Sequence, residues 1–267
     1  MLKDITIGQY FPGNSAVHRL DPRFKIIITA VFIVSLFCAD NFLGLLISCV
    51  FMLISFLISK IPLKLMMKSI KPIVPIIIFT TVLNLFFLDG VTLFKLGFLK
   101  VTYEGLRTSV FMIIRIIALI MGSSLLTYTT SPITLTDAIE RLMSPLAKIH
   151  LPVHELAMMM TIALRFIPTL IEETDKIMSA QKARGADMES GNLMQRAKAL
   201  TPILIPLFVS AFRRAEELAL AMECRCYHGG EGRTRLKELK STAADYTALG
   251  LSFIFLDAVI LMNIIFG

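Results

Sequence analysis

Apolar positions in this chain come in long unbroken stretches separated by short polar joints. The first stretch runs from Phe24 to Ala39 and is charge-free from Ile26 onward. A tight Asp40-Asn41 turn follows, and Asn41 to Ser59 carries no charge at all. A third covers Lys71 to Leu88, with Pro72 near its start and Pro75 predicting a kink. The fourth runs from Tyr103 to about Tyr128 and the last from about Asp245 to Phe266. A spanning helix needs roughly 20 mostly apolar residues, so the pattern predicts about five spans. The first is short, and Lys25 and Asp40 must reach outward to the two interfaces. Between the third and fourth, Val91 to Thr102 alternates and holds Gly97, which predicts a short external hairpin.

Between the fourth and fifth stretches the pattern changes to helical periodicity with charges. Ser131 to Ile149 reads as a helix capped by Thr134 or Thr136 ahead of Asp137, with Glu140 and Arg141 on its polar side. Val153 to Gly185 opens after Pro152 and stops at a glycine, the favoured helix-terminating residue. At 1.5 Å per residue this is a rod of roughly 50 Å. Its first half is apolar at helical spacing (Leu156, Met160, Leu164, Ile167, Leu170), and its second half is charged. The design repeats from Leu193 to Tyr227: Ala199 to Phe212 is apolar, interrupted by Pro202 and Pro206, and Arg213, Arg214, Glu216 and Glu217 follow, with Gly229-Gly230 ending it. Leu156–Leu164 and Ala199–Phe212 are too short between charges to span, and suit buried or interfacial helices. The expected organisation is residues 1–129 as the N-terminal segment and four spans, 130–240 as a cytoplasmic domain with two long helices, and 241–267 as a last span.

Composition supports lipid as the second solvent. Of 267 residues 55% are hydrophobic and 18% charged, with mean hydropathy +0.74, against about a quarter charged in a soluble domain. The net charge is +7 and the pI about 9.3. The basic residues flank or punctuate apolar runs, so no solvated nucleic-acid-binding face forms. Lys3, Arg19, Arg23 and Lys25 precede the first span, and Lys60, Lys64, Lys68 and Lys71 follow the second. The opposite loops hold Asp40, then Asp89, Lys95, Lys100 and Glu104. Basic excess marks the cytoplasmic side, which places the N-terminus and the long insert in the cytoplasm and, with an odd number of spans, Gly267 outside. Met1 to Lys25 has no apolar run of the signal-peptide kind. Cys38 and Cys49 lie inside apolar runs and behave as small hydrophobes, so the four cysteines imply no disulfide framework.

Candidate chemistry is sparse. No Gly-x-x-x-x-Gly-Lys-Ser/Thr occurs to cradle a nucleotide's phosphates. His154-Glu155 is not the start of a zinc-protease motif, because position 158 is Met158. Cys224 and Cys226 could form half a metal site, but no second thiol pair or histidine cluster accompanies them, and His228 stands alone. No metal or other cofactor is expected. An intramembrane enzyme would need paired titratable groups in the spans, and only Arg115 and Asp257 qualify. Both fall near mid-depth when counted from opposite faces, and intramembrane charges usually find partners, which predicts an Arg115–Asp257 ion pair. A self-sufficient permease would show a duplicated half with broken helices, and the only visible repeat lies in the two rods. Each rod ends in an arginine beside small residues: Ala183-Arg184-Gly185 and Cys224-Arg225-Cys226. An unobstructed guanidinium fork suits a carboxylate in a partner's groove. The alternative reading is that basic residues simply favour a helix's last turn.

At these residues the chain resembles the transmembrane T component of energy-coupling factor transporters, the EcfT family. The resemblance covers essentially the whole chain. It is carried by Tyr10-Phe11-Pro12-Gly13-Asn14-Ser15, by His18-Arg19-Leu20-Asp21-Pro22-Arg23 with Lys25, by Glu231-Gly232-Arg233-Thr234, and by the two arginine tips. It implies a non-catalytic subunit linking a membrane-embedded substrate-binding S component to two cytoplasmic ABC-type ATPases, for uptake of vitamins or transition-metal ions. It implies that Arg184 and Arg225 each dock in a groove of one ATPase. Ala183-Arg184-Gly185 matches the family's Ala-Arg-Gly motif in full, whereas Cys224-Arg225-Cys226 keeps only the arginine. It also assigns the apolar halves of the rods, Met158, Met159 and Met160 with Leu204, Ile205, Leu207 and Phe208, to contact with the S component. Packing of the rods against each other would use the same residue types.

Overall fold

The computed structural model describes residues 10–96, 99–149, 152–186, 192–229 and 239–266. Gly97, His150, Asp187, Gly230 and the Glu231-Gly232-Arg233-Thr234 stretch lie outside them. The elements are α1 (Ala16–Arg19), α2 (Pro22–Cys38), α3 (Phe42–Ser59), α4 (Leu63–Ile70), α5 (Val74–Phe87), β1 (Thr92–Leu96), β2 (Leu99–Thr102), α6 (Tyr103–Thr129), α7 (Pro132–Met143), α8 (Val153–Ala183), α9 (Leu193–Glu223) and α10 (Ala243–Phe266). They fall into two compact units, one holding residues 8–138 with 239–267, the other holding residues 139–238.

Five helical stretches are long and apolar enough to cross a membrane: α3, α4 with α5, α6, α8 and α10. The chain is an all-α multi-pass membrane protein. At 17 residues α2 is shorter, yet it packs against α6, α10 and α3 and belongs to their bundle. The bundle's core joins Phe32 and Leu36 of α2, Leu45 and Met52 of α3, Met121 of α6, and Phe255 and Val259 of α10. Three rings form its centre. Phe51 and Phe255 stack with centroids 4.4 Å apart, and Phe32 lies 6.1 and 6.3 Å from them. Gly122 lets Phe32 approach α6, since a Cβ there would sit 2.3 Å from the ring.

Local chemistry explains the element ends. Asp21 caps α2 by accepting from the Arg23 amide, and Pro22 occupies a first-turn position where no N–H is missed. Thr102 caps α6, accepting from the Gly105 amide and donating to the Leu88 carbonyl. The expected hairpin is present, with β1 and β2 antiparallel in the register Leu96↔Leu99 and Lys95↔Lys100.

Three expectations need correction. The stretch after α3 is not a loop. It contains the amphipathic α4, followed by a 3₁₀ turn, Lys71–Ile73, so Pro75 sits in the first turn of α5 and does not kink a longer helix. The cap before Asp137 is Ser131, whose hydroxyl accepts from the Thr134 amide. The helix it opens stops at Met143 and tightens into a 3₁₀ segment, Ser144–Ile149, because Pro145 cannot supply an amide to continue the α-helix.

Candidate functional site

The two rods are α8 and α9, each 31 residues long. Pro168 lies within α8, and Pro202 and Pro206 lie within α9, without ending either helix. Asn192 and Gln195 close a reciprocal capping box at the start of α9. The helices pack antiparallel. Gln181 donates to the Pro202 carbonyl at 3.5 Å, and Glu173 meets Ser210 and, at 2.9 Å, Arg214. The Ser210 hydroxyl, with the Arg214 guanidinium beside it, holds the Glu173 carboxyl below the usual carboxylate range. Farther along, Ile162, Phe166 and Leu170 of α8 face Ala211, Leu218 and Met222 of α9.

Both rods end in the same hydrogen-bonded cap. In α8 the Ala186 amide bonds to the Gln181 carbonyl and the Gly185 amide to Lys182, each at 3.0 Å. In α9 the Tyr227 amide bonds to Met222 at 3.1 Å and the Cys226 amide to Glu223 at 2.9 Å. This is the Schellman pattern, in which the residue after the cap takes the left-handed conformation. Gly185 does so at φ 84° and Cys226 at φ 55°. Arg184 and Arg225 therefore occupy the same cap position. Superposed by hydrogen bonds, the cysteine that departs from the glycine pattern adopts the backbone the glycine adopts. Both arginines are exposed, as are Ala183, Gly185, Cys224 and Cys226, and neither arginine has an ion-pair partner among the described residues.

Because the helices are antiparallel, the tips point away from each other. Each arginine lies about 16 Å beyond the Glu173–Arg214 bridge, in opposite directions, so the tips stand roughly 30 Å apart along the pair. The apolar candidates divide in the same way. Met159 and Met160 are 54% and 46% exposed near the start of α8, and Leu204, Ile205 and Phe208 are 48–61% exposed near the middle of α9. Met158 and Leu207 are half-buried. The two clusters lie on opposite sides of the Glu173–Arg214 bridge and form no single patch. The seam between the rods uses other residues, such as Phe166 and Leu218.

Arg115 and Asp257 are not paired. The Arg115 guanidinium donates to the Ala39 carbonyl at the end of α2 and lies 4.7 Å from the Phe111 ring centroid. Asp257 is exposed on α10, a helix that packs on α2 and α3. The 27 residues of α6 extend beyond the shorter α2, so Arg115 sits level with that helix's end, where its charge complements the helix dipole. Asn263 of α10 donates to the neighbouring Cys38 carbonyl.

The N-terminal signature residues build a latch that sequence reading did not resolve. Lys25 is buried, and its ammonium donates to the carbonyls of His18 (3.1 Å) and Thr129 (3.0 Å) and to the Thr130 hydroxyl (3.4 Å). His18 bonds to the Phe11 carbonyl at 3.0 Å and the Ser15 hydroxyl at 2.7 Å. The buried Asp245 accepts from the Asp21 amide at 2.7 Å and from both the amide and the hydroxyl of Thr242. The latch thereby ties the start of α2 to the end of α6 and the start of α10. Asp245, at the start of an apolar run, reads as an ordinary interfacial acid until its partner two hundred residues away is known. Among the described residues no cluster of three His, Cys, Asp or Glu could hold a metal ion.

A family model described as cobalt transport protein matches residues 13–236. Curated relatives extend the likeness to the whole chain. The energy-coupling factor transporter transmembrane protein of Ruminiclostridium cellulolyticum is 53% identical over 266 residues, covering all of both chains. The protein of the same name from Clostridium kluyveri is 57% identical over 269 residues, again covering both in full. That of Thermosediminibacter oceani is 59% identical over 247 residues, 92% of this chain and 93% of its own.

Proposed function

Since this chain belongs to the cobalt transport protein family and is the transmembrane component of an energy-coupling factor transporter, we propose that α8 and α9 are its levers. Arg184 and Arg225 each dock in one of two ABC-type ATPase subunits. Motion of the ATPases during ATP binding and hydrolysis passes through the two tips to the helix pair. The pair then tilts or releases an S component, which carries the substrate and chooses it among vitamins and other micronutrients. This chain supplies no nucleotide site and takes no chemical step.

The observation that carries the reading is the shared cap. Two arginines are held in the same backbone geometry, exposed and without an ion-pair partner among the described residues, at opposite ends of an antiparallel pair. Helix-dipole preference accounts for a basic residue near a helix end, but not for the repetition of one cap with arginine at one position. A guanidinium presents five donors in a rigid plane, which a carboxylate in a groove can grip bidentately. A separation of roughly 30 Å gives each ATPase its own tip.

The pair is assigned to the cytoplasm on charge. Although α8 is long enough to span, Arg165 interrupts its apolar half, and Glu172, Glu173, Asp175 and Lys176 follow within about three turns. Charges at mid-bilayer cost about 2.5–3.5 kcal/mol each on insertion scales. The apolar residues Met158, Met159, Met160, Leu204, Ile205, Leu207 and Phe208 are assigned to the S component, with methionine supplying an adaptable surface. The basic segments before α2 and after α3 put the N-terminus in the cytoplasm and Gly267 outside.

Affinity purification in mild detergent tests the reading. Two ATPases and a small membrane protein are expected to co-purify. Arg184→Glu and Arg225→Glu should each abolish uptake and weaken ATPase attachment. Full ATPase retention and uptake in the double variant would refute the lever assignment.

A further inference from the structure

Near the ends where α2 and α10 begin and α3 and α6 finish, the bundle opens into a groove of about 360 Å³. It arises because α3 and α10 touch elsewhere along their lengths. Gly44 packs against Val259 and Asn263, and Phe51 stacks on Phe255. Beyond Phe51 the two helices leave a gap, lined on α3 by Ile54 and Ile58 and on α10 by Ala244, Ala248 and Leu251.

The walls offer a guest almost no hydrogen bonds. Four hydroxyl-bearing residues line the groove, and each hydroxyl donates to a carbonyl of its own helix: Thr29 to Lys25, Ser55 to Phe51, Thr129 to Leu125, Thr247 to Ala244. Lys25 lines it too, but its ammonium is spent on His18, Thr129 and Thr130. A polar substrate would lose its hydration here without replacement. Hydrocarbon would lose nothing. The lips are apolar as well, with Ile54 51%, Ile58 48% and Leu251 62% exposed, as suits an opening toward acyl chains.

The rim is basic. Arg19 lies between Val17 and Leu20, both of which line the groove. It is exposed and forms no ion pair among the described residues, whereas Arg23 is paired with Asp21. Lys60 and Lys64 follow the same end of α3. A juxtamembrane cation contributes about 1 kcal/mol of attraction to an anionic lipid surface.

We propose that this groove holds one acyl chain of an anionic phospholipid, with the headgroup at Arg19. The site is separate from the arginine tips and does not depend on their role. Native mass spectrometry of the purified full chain, given equal phosphatidylglycerol and phosphatidylcholine, tests it. One phosphatidylglycerol adduct should be retained in preference. Ala248→Phe, which fills the groove, should lower its occupancy by about fivefold or more through lost apolar burial. Arg19→Gln should keep a bound lipid but erase the preference between the two headgroups. Unchanged occupancy and preference in Ala248→Phe, or occupation of the groove by a protein partner or by the chain's own N-terminal residues, would overturn the proposal. If Ala248→Phe does not elute as a folded species, a phosphatidylglycerol with a diazirine at its acyl terminus decides on the wild-type chain. Crosslinks should concentrate at residues 54–58 and 244–251. Crosslinks spread evenly over the outer faces of the bundle would mark bulk lipid and overturn it.

Discussion

Cys226 carries a small conformational strain that Gly185 does not. A side chain in the left-handed region costs roughly 1 kcal/mol relative to glycine. Cys226→Gly should therefore stabilise the α9 cap by about 1 kcal/mol and leave ATPase attachment intact, read as slower amide exchange at Cys226 and Tyr227. Faster exchange would mean the thiol itself supports the cap. The arginine of each tip was readable from the sequence. The equivalence of Gly185 and Cys226 was not, because it rests on φ, which residue identity only biases. Arg115 teaches a related lesson. Counting residues into a span predicts depth only when neighbouring helices have equal lengths, and α2 is ten residues shorter than α6. Arg115→Met should destabilise the bundle by about 1–2 kcal/mol by removing a charged donor from the end of α2. In a double-mutant cycle with Asp257→Asn the two effects should add within about 0.5 kcal/mol. A coupling energy above about 1 kcal/mol would restore the ion pair.

Among the elements, α5 and α6 make a close backbone approach at a single glycine. A Cβ at Gly105 would lie 2.8 Å from the Asn84 carbonyl oxygen and 3.2 Å from that of Leu85. Backbone cannot rotate aside as a side chain can. Gly105→Val should push the helices apart and cost about 1–3 kcal/mol, measured as a fall in thermal unfolding temperature in detergent. Gly250 on α10 has nothing within 4 Å, so Gly250→Ala should be neutral or gain up to about 1 kcal/mol. A loss at Gly250 equal to that at Gly105 would mean that the close approach at Gly105 does not set its cost. The helices, the hairpin and both rods were legible because apolar runs leave strong linear signals and Gly185 marks the end of α8, whereas α9 ends at Glu223 with Cys226, not Gly229-Gly230, in the turn. The helix α4 was hidden by its lysines. Lys64, Lys68 and Lys71 recur at helical spacing, while Leu65 and Met66 pack beneath Phe56, Ile61 and Tyr128. A charge count alone reads that stretch as a loop. The distant partners of Lys25 and Asp245 were equally hidden, since Thr129 lies 104 positions from Lys25 and Asp21 lies 224 positions from Asp245.

For the whole molecule, division of labour follows from composition. The bundle of α2, α3, α4–α5, α6 and α10 buries rings and small residues between apolar helices, and its polar ends are tied by Lys25 and Asp245. The unit of α8 and α9 instead holds its two helices by a mixed seam, with Glu173, Ser210 and Arg214 beside Phe166 and Leu218. It leaves both tips and two apolar clusters open. Such an arrangement suits a part that is gripped and moved by others. Its central requirement is that both arginine tips lie on one side of the membrane. The antiparallel packing makes that requirement strict, because a helix pair crossing the bilayer would put Arg184 and Arg225 on opposite faces.

Thiol labelling measures this directly. One chain would keep Cys224 and Cys226, which are exposed, with Cys38 and Cys49 replaced by alanine. A second would carry Ala183→Cys as its only cysteine. Both would be treated with a membrane-impermeant maleimide in right-side-out and inverted vesicles stripped of peripheral subunits. The lever account predicts labelling of both tips in inverted vesicles and of neither in right-side-out vesicles. Labelling of one tip from each side would place α8 or α9 across the bilayer and contradict it.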